Sequence, residues 1–133
     1  MYPPKLSHIK ETCLYVKDLE ISRKFYEEIL GLERIHYEPN SYLFVKVGKD
    51  VLLLFNPEMS KEQNNLPTHY GSGELHIAFE CSITEYENWK TYLTEKEVII
   101  EFEKKWPRGG KSFYFRDPDH LCLEIVQPGI WDF

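Results

Sequence analysis

The chain repeats itself. A stretch that opens ETCLYVKDLE at Glu11 and closes VLLLFNP from Val51 is matched in pattern by one that opens HIAFECSITE at His76 and closes CLEIVQP from Cys122. Each copy opens on a strand and runs into a helix. Leu19 to Leu30 carries Ile21, Phe25, Tyr26, Ile29 and Leu30 at helical spacing and stops at Gly31; Thr84 to Lys96 carries Tyr86, Trp89, Tyr92 and Leu93. Three strands are expected after each helix: 33–37, 42–47 and 51–56 in the first copy, 98–103, 112–116 and 121–127 in the second. Pro39-Asn40, Gly48-Lys49-Asp50, Gly109-Gly110 and Asp117-Pro118-Asp119 supply the turns. The order is βαβββ twice, an α+β chain of two modules, 1–56 and 74–133, joined by a polar linker over 57–73. Neither half is large enough to be comfortable alone, so the two are expected to form one structural domain. Their sheets would pair around a concave cleft lined by alternate strand residues.

Alternation sorts the strands. Leu14, Val16 and Thr12 are expected inside, with Glu11, Cys13 and Tyr15 on the cleft side. Leu52 and Leu54 oppose Val51, Leu53 and Phe55. Ile77 and Phe79 oppose His76, Ala78 and Glu80. Phe113 and Phe115 oppose Ser112, Tyr114 and Arg116, and Leu123 and Ile125 oppose Cys122, Glu124 and Val126. Glu124 sits inside an apolar run, where a buried carboxylate is costly unless paired, hydrogen-bonded or bound to metal. In the repeat its counterpart is Leu53, and that of His76 is Glu11. Glu11, His76 and Glu124 thus fall on central strands and point into one space. Packing does not explain such a trio; a divalent metal does, since carboxylate oxygen and imidazole nitrogen are its usual ligands.

Composition removes several alternatives. A net charge of -6 argues against nucleic acid or acidic membranes as main partners, and the densest basic group, Lys104, Lys105, Arg108 and Lys111, is small. No apolar stretch is long enough to span a bilayer and the first residues, MYPPKLSHIK, contain no apolar signal region. Three cysteines, Cys13, Cys81 and Cys122, form no CxxC pair and no even framework. A soluble cytoplasmic protein with reduced thiols is expected.

The elements ETCLYVKDLEISRKFYEEILGL, LHIAFE and SFYFRDPDHLCLEIV resemble the vicinal-oxygen-chelate superfamily, which includes glyoxalase I, fosfomycin-resistance thiol transferases, bleomycin-resistance proteins and extradiol dioxygenases. The resemblance spans both modules and is specific to the superfamily rather than to one reaction. It implies metal ligands at Glu11, His76 and Glu124 and one divalent ion per site, with Mn, Zn, Ni, Mg and Fe all open. It also implies a homodimer and a small-molecule substrate. Two departures matter. Most superfamily enzymes have histidine where Glu11 stands, and glyoxalase I has a glutamate where Leu53 stands. The first speaks against iron dioxygenase chemistry. The second brings the site closer to the three-ligand thiol transferases. The implied function is a glyoxalase-like enzyme of isomerase or lyase type, with the ion as Lewis acid and Glu124 or Glu11 moving a proton. The alternatives are a thiol transferase of the fosfomycin-resistance type and a metal-free ligand-binding protein of the bleomycin-resistance type.

Cys13, Tyr15, Phe55, Trp106, Arg108, Ser112 and Tyr114 are the expected substrate contacts. Competing readings accompany several residues. His76 alone would read as a core histidine on a backbone carbonyl, and Glu11 as a solvated strand-edge carboxylate. His8 lies on the face opposite Glu11, His120 reads as a turn residue, and His36 and His69 receive no role. Gly109-Gly110 either closes a hairpin or lets Trp106, Arg108 and Lys111 overhang the cleft. Arg116 either pairs with Asp117 or Asp119 or meets substrate. Trp131 and Phe133 are expected to cover a cleft mouth or a partner subunit.

Overall fold

A computed structural model describes residues 1–131; the expectation for Phe133 lies outside the described residues. The chain divides into two compact units, Met1–Gly71 and the residues from Ser72 onward. The first contains β1 (Glu11–Tyr15), α1 (Leu19–Arg23), β2 (Glu33–Glu38), β3 (Tyr42–Val47), β4 (Asp50–Phe55) and α2 (Pro57–Ser60). The second contains β5 (His76–Glu80), α3 (Ile83–Glu95), β6 (Phe102–Lys105), β7 (Lys111–Arg116) and β8 (Cys122–Val126).

Each unit holds a four-stranded sheet, β1-β4-β3-β2 and β5-β8-β7-β6. In both, the first strand runs parallel to the last and the other pairs are antiparallel. A parallel pair cannot be closed by a tight turn, and the helix with its following strands supplies the crossover. β1 and β5 end their sheets, so Glu11 and His76 do not lie on the central strands expected for them, while β8, which carries Glu124, is central as expected. The registers confirm the repeat: Cys13 pairs with Leu53 as Ala78 pairs with Glu124, so Leu53 and Glu124 are equivalent positions.

The alternation holds where it was sharpest. Leu14, Leu43, Val45, Leu52 and Leu54 are buried in the first unit; Tyr86, Leu93, Phe113, Phe115 and Leu123 are buried in the second. Three expectations change. The first helix starts on Asp18, whose side chain accepts from the backbone N–H groups of Glu20 and Ile21, but it widens into a π-helix over Lys24–Ile29. The Leu30 N–H reaches back to the Phe25 carbonyl at 3.0 Å. Phe25 and Tyr26 are both buried, while in the preceding α-helical turn Ile21 is exposed and Ser22 is buried. The sixth strand begins at Phe102 rather than Val98. α3 ends through Glu97 in the left-handed region (φ 62) and a Val98 N–H bond to the Leu93 carbonyl, which holds the following residues off the ladder. The linker is not wholly irregular: Asn56 caps α2, with Pro57 in its first turn.

Candidate functional site

In the second unit the β5–β8–β7 register builds the site. Tyr114 lies directly opposite Glu124, and His76 is offset by two register positions, so all three stand on one face. His76 and Tyr114 stack with ring centroids 6.2 Å apart. The His76 ring is fixed at both ends. Its Nδ1 is 2.8 Å from the Cys122 carbonyl, which can only accept, so Nδ1 carries a proton. Its Nε2 is 3.3 Å from Glu124 Oε1. In neutral imidazole that nitrogen is a lone pair, and it faces a carboxylate oxygen. Two acceptors held that close need a cation, either a proton or a metal ion.

Glu124 makes the same point. It is 5% exposed, and its Oε2 is buried without a hydrogen-bond partner. Divalent-metal bonds of about 2.0–2.2 Å set neighbouring ligand atoms roughly 3.0–3.4 Å apart. The Nε2–Oε1 separation lies in that range, and the carbonyl bond to Nδ1 is the support that metal-bound imidazoles usually have. The residues of the second unit therefore fit a divalent ion.

Above this pair opens a cavity of about 500 Å³, lined by His76, Glu124, Tyr114, Trp106, Arg108 and Trp131 among others. The Tyr114 hydroxyl is pushed above its usual range, first by burial and then by the Glu124 carboxylate, although Ser112 opposes the shift. It remains a protonated donor at neutral pH. Trp106 Nε1 donates to Ser112 Oγ at 2.9 Å, and Arg108 donates to the Trp131 carbonyl at 3.3 Å. Ser112 is fully buried. Its hydroxyl holds the Trp106 indole in place rather than lying open in the cavity. Arg116 pairs with Glu101 and Glu74 instead of its neighbours Asp117 and Asp119. Asp117 uses its carboxylate on the backbone N–H groups of Asp119 and Leu121.

In the first unit Glu11 heads β1 and is exposed, and Cys13, Tyr15, Leu53 and Phe55 follow on the same face, half-buried. Among the described residues, no group of three or more His, Cys, Asp or Glu side chains is gathered to hold a metal ion. The described geometry brings two of the three expected ligands together, His76 and Glu124. One residue without an expected role enters a cavity: His69 binds the Tyr15 hydroxyl at 2.7 Å and lines a space in the first unit. Its sequence signal was weak, a histidine beside Tyr70-Gly71 in a polar stretch.

The chain belongs to the Glyoxalase/Bleomycin resistance protein/Dioxygenase superfamily, whose model matches residues 5–125. Among curated relatives it is 32% identical over 111 residues to the metallothiol transferase FosB of Staphylococcus haemolyticus, covering 83% of this chain and 76% of that one. It is 32% identical over 118 residues to the metallothiol transferase FosB of Lysinibacillus sphaericus, covering 88% and 79%. Among solved structures it is similar to the lactoylglutathione lyase of Agrobacterium tumefaciens, at 35% identity and a TM-score of 0.91 over 99% of this chain and all of that one. Among the described residues no helix is long and apolar enough to cross a membrane.

Proposed function

We propose that the chain is a divalent-metal-dependent enzyme of glyoxalase type, an isomerase or lyase acting on a small substrate that presents adjacent oxygens. The observation that carries this reading is the 3.3 Å approach of His76 Nε2 to Glu124 Oε1, with the other carboxylate oxygen buried and without a hydrogen-bond partner. His76 and Glu124 would hold the ion. When bound, it supplies Lewis-acid polarisation of the substrate oxygens.

The chain's own residues do the rest. The Cys122 carbonyl keeps His76 in one tautomer and one orientation. Glu124 moves a proton at Oε2. Tyr114 donates a hydrogen bond to a substrate oxygen beside Glu124. Trp106, fixed by Ser112, forms an apolar wall that excludes water, and Arg108 meets a carbonyl or anionic group.

A second reading, thiol transfer to an electrophile, has one observation of its own. Leu53, at the repeat position of Glu124, is apolar, so the first sheet offers no second carboxylate there. The similarity to metallothiol transferases supports the same reading. One experiment separates the two. Dialysed protein is assayed with a hemithioacetal, and separately with a thiol plus an epoxide, with and without Mn²⁺, Ni²⁺ or Zn²⁺. Metal-dependent turnover of the hemithioacetal, lost in His76→Ala, is expected. Turnover of the epoxide pair alone transfers the assignment to the second reading. No metal-dependent turnover of either refutes both.

A further inference from the structure

We propose that residues 129–131 form a hinged gate over the cavity of the second unit, with Gly129 as the hinge, Trp131 as the gate and Arg108 as the latch. What the gate admits rests on the reading of His76 and Glu124 as ion ligands. The gate itself rests only on the contacts of this segment.

Two tryptophans stand in the cavity wall, Trp106 and Trp131, and they are held in different ways. Trp106 is clamped. Its indole N–H donates to the fully buried Ser112 hydroxyl at 2.9 Å. Its backbone N–H donates to the Gly110 carbonyl at 3.0 Å, and its carbonyl accepts from Gly109 at 3.1 Å. Trp131 is 71% exposed. Among the described residues its hydrogen bond is the one its carbonyl accepts from Arg108 Nη1, 3.3 Å long and open to solvent. A large ring that buries so little of its surface gains little from staying in place.

The change from fixed to loose falls at Gly129. Up to Gln127 the chain belongs to the sheet. The Gln127 N–H donates to the Lys111 carbonyl at 2.9 Å, and its side-chain carbonyl accepts from the Lys111 N–H at 2.9 Å. Pro128 then limits the backbone. Gly129 follows with φ 97, a conformation that glycine takes freely, and nothing lies within 4 Å of where its Cβ would stand. The chain can turn there without collision. Beyond it, Ile130 leans on the β6–β7 turn. A Cβ at Gly110 would fall 3.0 Å from Ile130 Cγ2 and 3.2 Å from the Pro128 carbonyl, so this turn meets the segment through bare backbone.

A pinned arm, an unobstructed glycine, a ring mostly in water and one exposed hydrogen bond together make a lid rather than a wall. Opening breaks the Arg108 bond and the Ile130 contact and leaves the β5–β8–β7 ladder intact. Closing sets the Trp131 ring against the cavity that holds His76 and Glu124, which shields it from water.

The test follows the ¹⁵N indole signals of Trp89, Trp106 and Trp131 in the full chain in EDTA, assigned by single Trp→Phe substitutions. Arg108→Ala removes the latch and should raise the open fraction about fivefold, moving the Trp131 signal. Arg108→Lys keeps a donor and should reverse most of the movement. Ile130→Ala should move the Trp131 signal in the same direction as Arg108→Ala. Trp89, on α3, should stay in place throughout, and circular dichroism verifies folding. A Trp131 signal that Arg108→Ala leaves unmoved, a movement that Arg108→Lys does not reverse, or an equal movement at Trp89 would overturn the latch. A second arm loads wild type and Trp131→Ala with Zn²⁺ and follows its loss to excess EDTA. Loss about fivefold faster from Trp131→Ala, with the same equivalents bound beforehand, is expected. Equal rates would overturn the gate. A wild type that takes up no Zn²⁺, Mn²⁺ or Ni²⁺ refutes the proposed function, and the indole signals then decide the gate by themselves.

Discussion

Replacing Glu124 by glutamine should stabilise the metal-free protein and destabilise it relative to wild type once metal is added. Glu124 is 5% exposed, and its Oε2 has no partner. Its Oε1 lies 3.3 Å from His76 Nε2. A buried polar group left unsatisfied costs about 1–3 kcal/mol, and more when charged. Glutamine keeps the shape, removes the charge and places an amide N–H where it can donate to His76. A gain of about 1–2 kcal/mol in EDTA is expected, which for a chain of this size raises the melting temperature by roughly 3–8 °C. In metal the order reverses. At an ion concentration near 100 times Kd the wild type gains about 2.7 kcal/mol, and the variant, lacking an anionic ligand, gains little. Thermal melts followed by circular dichroism, in EDTA and in Mn²⁺, Ni²⁺ and Zn²⁺, read both arms. A variant less stable than wild type in EDTA would refute the reasoning about the orphaned oxygen. Equal stabilisation of both proteins by every ion would refute Glu124 as a ligand.

Glu103 accepts from Tyr86 and then from Lys90, and both hold its carboxyl below the usual range. Its contribution is therefore complete above the ordinary carboxylate pKa and lost as pH falls through the lowered folded value. As pH falls below the ordinary carboxylate range, the wild type should lose more stability than Glu103→Gln in urea titrations. Equal slopes would dismiss the pairing. Gly71→Ala should displace Tyr15 from His69, because the new Cβ would meet the Tyr15 ring at 2.5 Å. A change in the His69 imidazole ¹⁵N shifts reports this, and unchanged shifts count against it. Asp18→Ala should cost about 1 kcal/mol by loss of the helix cap, measured by urea denaturation.

Much of this architecture was legible because a sheet with one buried face alternates with period two. Leu52 and Leu54 against Val51, Leu53 and Phe55 left one choice of face, and the same alternation put His76, Tyr114 and Glu124 together. The repeat then fixed Leu53 as the counterpart of Glu124. What was not legible depends on contacts that spacing does not encode. Phe25 and Tyr26 fit an α-helical stripe as well as a π-helical one, so only the Leu30-to-Phe25 bond separates them. The apolar run Val98-Ile99-Ile100 looks more like a strand than Phe102–Lys105 does, yet the turn after α3 decides the ladder's start. Arg116 has acidic neighbours in sequence but finds Glu101, 15 positions away, and Glu74, 42 positions away. His69 finds Tyr15, 54 positions away. Pattern reads faces well and reads long-range polar partners poorly.

If His76 and Glu124 hold a divalent ion, the protein's metal content must depend on both side chains. Wild type, His76→Ala and Glu124→Ala are loaded with a mixture of Mn²⁺, Ni²⁺ and Zn²⁺, dialysed, checked for folding by circular dichroism and measured by elemental mass spectrometry. About one ion per chain is expected in wild type and almost none in either folded variant. A wild type without metal, or variants that keep a full equivalent, would contradict it.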